Sequence, residues 1–324
     1  MRRAPGEVQI GTDSRWAVRV SGLTDRQADR FVTAGDRPLD ARLPAPALDL
    51  LHDAGLLRAP PRSVPRIRAE LAPEAVGYGL SRANDGNDDS AVLRRRDRAA
   101  VGIVGLDRLG ITVAGVLAAA GVGTILLDDP GTVRAGEVGG GVGAEDVGQD
   151  RTRVAASVLR RQNPRVRVTR RGAASPDVVV TVATDAADPG TALDLMTAEI
   201  AHLPVVVREA DVVVGPFVDP RPRATSRAAW PCLRCVDLHR AELDPAWPVV
   251  LSHLTARHQP TATGLPAALA AVAGGLAAAE VLAHLDGDTP VTLGAQYEIP
   301  LPSVEPRLRR WVAHPECGCA TLAS

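Results

Sequence analysis

The chain has 324 residues, 45% of them hydrophobic and 23% charged, and a formal net charge of −1. That length can bury a substantial core in one large or two smaller domains, and the near-zero charge excludes the global basic field of a nucleic-acid binder. All 37 basic residues are arginine, so arginine must serve wherever a phosphate needs a cation.

The first residues, Met1 to Gly11, contain two arginines but no apolar stretch, so no signal peptide is expected and the expected location is cytoplasmic. Val8-Gln9-Ile10 and Trp16 to Val20 alternate like short strands. Thr24 is placed to cap a helix over Asp25 to Ala34. A second helix is predicted over Ala45 to Ala54, ended by Gly55. Two strands and two helices in so short a span predict a winged-helix-like module over residues 1–60. Residues 61–93 follow as a Pro-rich link (Pro60 to Pro65), a helical stretch (Arg68 to Leu80) and a polar linker (Ala83 to Ser90).

The main domain is expected over residues 94–324. Ala100 to Gly105 is a short apolar run that reads as a buried strand. Ile111 to Gly121 is Ala-rich and helical in pattern, Thr124 to Leu127 is a second strand, and Asp128-Asp129 follows it. Strand, glycine turn, helix, strand, acid is the order of a nucleotide-binding βαβ unit. Gly105 and Gly110 mark the turn, and Asp129 falls where a ribose hydroxyl needs an acceptor. Beyond it a helix is predicted over Asp146 to Arg161 and another over Asp194 to His202. Strands are predicted at Val166 to Val168, Asp177 to Val182, Pro204 to Val207 and Val212 to Val214. This alternation predicts a Rossmann-like α/β fold: a mostly parallel sheet with helices on both faces. Leu265 to Leu285 is long and apolar but Ala/Gly-rich and interrupted by Glu280, which favours a packed core helix over a membrane span.

Cys232 and Cys235 form a CxxC pair, and Cys317 and Cys319 a CxC pair. Two such knuckles brought together supply the four thiolates of a closed, structural zinc site. A redox CxxC, or His314 in place of one thiolate, is the alternative. Trp230 and Trp247 flank the first knuckle and are expected to pack over it.

Several separated pieces together resemble the ThiF/MoeB/HesA family, bacterial relatives of ubiquitin-activating enzymes. They are Val104 to Gly110, Ala118 to Gly123, Leu127-Asp128-Asp129, Asp146-Val147-Gly148, Asn163-Pro164 and the two cysteine pairs. The resemblance implies ATP and Mg²⁺ as cofactors and adenylation of the C-terminal carboxylate of a carrier protein or peptide. It implies phosphate and ribose contacts at Gly105, Asp107, Gly110 and Asp129. Arg151 takes the place of the family's helix lysine, and Asp185 stands beside the position of its metal-holding acid, so both are assigned catalytic roles. A homodimer is implied, with Arg94, Arg95, Arg96 and Arg98 where the family often carries an arginine used across it. With every cysteine committed to zinc, no thioester step is expected. Asp107 departs from the family, which has glycine there, and so predicts a weakened ATP site. The alternative is an inactive scaffold whose N-terminal module binds a leader peptide through a strand edge. An NAD-dependent oxidoreductase explains neither the cysteine pairs nor Asp146-Val147-Gly148.

Overall fold

The structure is a computed structural model that describes residues 1–14, 17–34, 43–54, 56, 68–81, 89–221, 230–256 and 264–320. Trp16, Gly55, the Pro60 to Pro65 link and most of the Ala83 to Ser90 linker lie outside these residues. The chain divides into two compact units, Met1–Ala91 and Val92–Ser324.

The first unit carries a three-stranded antiparallel sheet in the order β1 (Arg2–Ala4), β2 (Glu7–Ile10), β3 (Val18–Val20). The strand β1 was not anticipated; its RRA sequence has no apolar alternation. Helices α1 (Asp25–Ala34), α2 (Ala45–Asp53) and α3 (Ala72–Ser81) follow. Thr24 starts α1 through a capping box: its Oγ1 accepts from the Gln27 amide at 3.3 Å, and its own amide donates to Gln27 Oε1 at 2.8 Å. Val8, Val20, Leu23, Ala28, Ala47 and Leu51 form the core of this unit.

Helix α4 (Asp89–Arg98), most of which belongs to the second unit, begins two residues inside the stretch expected to be linker. An eight-stranded sheet then forms from β4 (Ala100–Val104), β5 (Thr124–Asp128), β6 (Arg167–Arg170), β7 (Val178–Thr184), β8 (Ala201–Val207), β9 (Asp211–Val214), β10 (Ala295–Pro300) and β11 (Arg307–Arg310). Its order is β11-β10-β9-β8-β7-β4-β5-β6. The run from β8 to β6 is parallel, and β9, β10 and β11 extend it antiparallel.

The helices α5 (Arg108–Ala119), α6 (Arg151–Gln162), α7 (Pro189–Thr197), α8 (Leu233–Leu243), α9 (Trp247–Thr255) and α10 (Ala267–Asp286) complete the unit. Two helix predictions are corrected. The stretch Asp146 to Arg161 becomes helical only at Arg151, where Asp150 caps the amide of Arg153. Asp188 and Pro189 start α7 earlier than expected, and Glu199, at φ 55°, breaks the chain before β8. Residues 201 and 202, expected to be helical, are therefore strand.

Helix α10 is long and apolar enough to cross a membrane by length and composition, with half of its most apolar window buried in the protein. It packs on α5, β8 and β9. Leu109, Val113 and Leu117 of α5 and Ala273, Ala277 and Val281 of α10 are all fully buried. Each larger aliphatic side chain there contributes roughly 1.5–3 kcal/mol relative to exposure. At one end of this pair Arg96 of α4 is fully buried. Its Nε and Nη2 donate to both oxygens of Asp286 at 2.9 and 2.6 Å, and its Nη1 donates to the Ala120 carbonyl. Arg96 thus ties α4 to α10 within its own chain.

Candidate functional site

The strand order places the reversal of winding at β4, between β5 and β7. Open α/β sheets bind ligands outside the carboxyl ends of the strands at such a point. A cavity of about 730 Å³ opens there. Gly105 lines it from the end of β4, Asp129 from the end of β5, and Thr184, Asp185 and Ala186 from the end of β7. Asp107, Arg108, Arg134, Glu137 and Arg151 add charge, and Leu265 and Pro266 close one side.

Gly105 has φ 88°, and a Cβ on it would lie 2.4 Å from the Val182 carbonyl oxygen. Only glycine turns the chain there without a clash. Gly110 does not line the cavity. A Cβ on it would lie 2.0 Å from the Gly105 carbonyl oxygen, so its role is close approach of α5 to the turn.

The charged groups are heavily interlocked. Asp107 is the N-cap of α5 and accepts from the amides of Leu109 and Gly110 at 2.9 and 3.0 Å. Those are the donors a helix N-terminus offers to an anion. Burial pushes the Asp107 carboxyl above the usual range, against those two hydrogen bonds; Glu137 adds to the rise and Arg151 opposes it. Asp129 accepts from the amides of Leu106 and Gly131, both at 2.7 Å, and from Arg151 at 3.2 Å. Glu137 accepts from the Arg134 amide at 2.9 Å and from two nitrogens of Arg151. Burial works against the charge on Arg151, but Asp129 and Glu137 outweigh it and raise its pKa.

Five predicted residues therefore meet around one cavity: Gly105, Asp107, Asp129, Arg151 and Asp185. Asp185 sits in the left-handed region at φ 68°, where an aspartate is uncommon and strain clusters at functional sites. Sequence reasoning missed Arg108, Arg134 and Asp188. Arg108 donates to the carbonyls of Leu265 and Val138 at 3.0 and 2.7 Å, and its buried Nε has no partner among the described residues. Asp188 caps α7 through Gly190 and Thr191. Burial raises its pKa, but the Thr191 and Gly190 hydrogen bonds outweigh that and bring it below the ordinary value. The turn Leu106-Asp107-Arg108-Leu109 carried the signal for Arg108, because a charge so close to a helix start faces the strand ends.

The four cysteines converge elsewhere in the unit. Cys232 Sγ lies 3.9 Å from Cys235 Sγ and 3.6 Å from Cys317 Sγ, and Cys235 Sγ lies 3.4 Å from Cys319 Sγ. With metal–sulfur bonds of about 2.3 Å, a tetrahedron has edges of about 3.8 Å. The donor set therefore fits a metal ion. Packed this closely, four sulfurs cannot all be thiolates without a cation. Hydrogen bonding with Cys235 and Cys319 raises the Cys232 thiol, and hydrogen bonding with Cys232 and Cys319 holds Cys235 low. His314 is not among the converging ligands. Its Nδ1 accepts from the Glu316 amide at 3.1 Å, so its Nε2 donates to Glu242 at 2.9 Å and clasps the tail to α8. The cluster packs against Met196, Leu238 and Ala313, and Trp247 is not among the partly buried residues that do so. Trp230 lies over Gly294, and Trp247 donates to Asp237 at 3.1 Å.

No curated protein sequence matches the chain. Solved structures of similar fold include E. coli MccB with ATP (16% identity, TM-score 0.66, covering 98% of this chain and 96% of that one). E. coli MccB with AMPCPP and MccA gives 16% identity and a TM-score of 0.70 over the same shares, 98% and 96%. PaaA gives 17% identity and a TM-score of 0.61, covering 81% of this chain and 90% of that one. The model of the ThiF family matches residues 88–321. The chain belongs to the ThiF family.

Proposed function

We propose that this protein activates the C-terminal carboxylate of a peptide or carrier protein by ATP-dependent adenylation, without a thioester step. The observation that carries the reading is the cavity at the β4 switch point, where Gly105, Asp129 and Asp185 stand at the ends of three adjacent parallel strands. The similar MccB structures were solved with ATP, AMPCPP and MccA, which supports a nucleotide in this cavity and a peptide beside it.

In this reading Asp129 takes the ribose, after Arg151 yields one of its two partners. Arg108 and Arg134 neutralise the charge that develops as the substrate carboxylate attacks the α-phosphorus and pyrophosphate leaves. Asp185 and Asp188 offer the oxygen ligands that suit Mg²⁺, which when bound screens phosphate charge. Asp107 weakens the site, since its carboxylate sits where an incoming phosphate needs the amides of Leu109 and Gly110. The thiol cluster holds zinc as a staple for the C-terminal tail, and four reduced cysteines suit a cytoplasmic setting. A homodimer is part of the proposal by family resemblance.

The second reading is a scaffold that captures a leader peptide on the N-terminal sheet. Asp107 capping its own helix is the observation that favours it. ATP–pyrophosphate exchange in the presence of a pool of peptides with all twenty C-terminal residues separates the two. Exchange above the peptide-free background supports adenylation. No exchange, with peptide binding retained, supports the scaffold.

A further inference from the structure

A second, smaller cavity of about 40 Å³ adjoins the first, and the two share Asp185 and Ala186 as a common wall. Arg240 and Asp237 of α8, Trp247 of α9, Arg208 at the end of β8 and Gln296 of β10 line it. The space holds about three water-sized groups, the size of a carboxylate.

Arg240 has unused capacity here. It is mostly buried, yet none of its five N–H donors makes a hydrogen bond among the described residues. Its nearest carboxylate oxygen, on Asp237, is 3.6 Å away, beyond hydrogen-bond reach. The guanidinium is nonetheless held in place. It lies 5.0 Å over the Trp247 ring, and Trp247 is fixed in turn by its Nε1 donating to Asp237 at 3.1 Å. The charges facing it are Asp237 and Glu298 of one sign and Arg208 and Arg309 of the other. Burial and the two arginines disfavour its charge, so an incoming anion relieves that penalty. Arg208 is already spent on both oxygens of Asp211, which leaves Arg240 as the free donor.

We propose that this cavity reads a carboxylate side chain, of aspartate size, at the C-terminal residue of the peptide, with Arg240 as its anchor. The inference rests on the adenylation reading for the position of the peptide. With the reacting carboxyl in the large cavity beside Asp185, the side chain of that residue lies over Asp185 and Ala186, at the small cavity. A cationic side chain is repelled by Arg240, whose charge Asp237 offsets only in part from 3.6 Å away. A small apolar one gives the Arg240 donors no acceptor, and a carboxamide forfeits the charge-assisted part of the bond.

The test uses full-length protein carrying ¹⁵N-labelled tryptophan, which gives four indole signals, with Trp247 assigned by Trp247→Phe. It is titrated, without nucleotide, with acetyl-Ala-Ala-Ala-Asp and with the same peptide ending in Asn or Ala. The Asp-ended peptide should shift the Trp247 indole signal and bind at least tenfold more tightly than the other two. Arg240→Gln should erase the difference, and Arg240→Lys should restore part of it. Equal binding of the Asp-ended and Ala-ended peptides by the wild type overturns the proposal, and needs no variant to fold. A preference that persists in Arg240→Gln overturns it too. Turnover without the preference keeps adenylation and removes this site. The preference without turnover keeps the site and removes adenylation.

Discussion

Replacing Asp107 with Asn separates the two roles of that side chain. Asparagine caps a helix about as well as aspartate, so the acceptor for Leu109 and Gly110 is kept and α5 should keep its stability. What is lost is a negative charge beside the proposed phosphate position. At a separation of about 5 Å and an effective dielectric of about 20, that charge costs a bound phosphate about 3 kcal/mol. Removing it should tighten ATP·Mg²⁺ binding by at least tenfold and up to about a hundredfold. The pH dependence follows from the same charge. Burial raises the Asp107 carboxyl, so it is neutralised at higher pH than an ordinary carboxylate. Wild-type affinity should therefore improve as pH falls toward the acid range, and Asp107→Asn should lose that improvement. Isothermal titration calorimetry with ATP·Mg²⁺ at a series of pH values measures both effects. Equal affinities for the two proteins, with parallel pH profiles, would refute the electrostatic reasoning.

Further outcomes are expected. Metal analysis of protein purified without chelators should find one zinc per chain. Cys235→Ser should lose it and lower the thermal midpoint, because metal binding is coupled to folding. Asp286→Ala should destabilise the fold by about 3–5 kcal/mol, as it removes the carboxylate that accepts from two nitrogens of the fully buried Arg96. Joint replacement by Arg96→Met and Asp286→Leu should recover most of that in a denaturant titration. Light scattering should give a dimer mass at micromolar concentration. On the scaffold reading, deleting residues 1–60 abolishes leader-peptide capture while Asp129→Ala leaves it intact; capture by the truncated protein would remove the module's role.

The legible parts of the fold were those whose signal is local. The apolar runs of β4 and β5, the glycine turn and the acid after β5 stand close together in sequence, and the structure sets them around one cavity. The CxxC and CxC pairs carried their chemistry in their spacing, though only the fold brings Cys232 within 3.6 Å of Cys317. The start of α7 is set by Asp188-Pro189, a cap followed by a first-turn proline that stands upstream of the apolar pattern of the helix. Helices α8 and α9 were obscured in different ways. The CxxC pair overlaps the first turn of α8, and α9 has no buried residue to impose a stripe. The edge strand β11, with its RLRR sequence, is exposed throughout and lacks any inward-facing position. Side chains that act across elements could not be read. Nothing near Arg151 announces that Asp129 and Glu137 will share it, and nothing near Arg240 places it beside Asp185.

The central claim is that the cavity at the ends of β4, β5 and β7 binds ATP in a productive pose. A crystal structure with a non-hydrolysable ATP analogue and Mg²⁺ tests it most directly. Adenylation requires the ribose on Asp129, the phosphates along the Gly105 turn toward Arg108, and Mg²⁺ on Asp185. A nucleotide bound elsewhere, or a cavity empty of nucleotide at saturating analogue with Asp107 still capping α5, would contradict it and leave the scaffold reading standing.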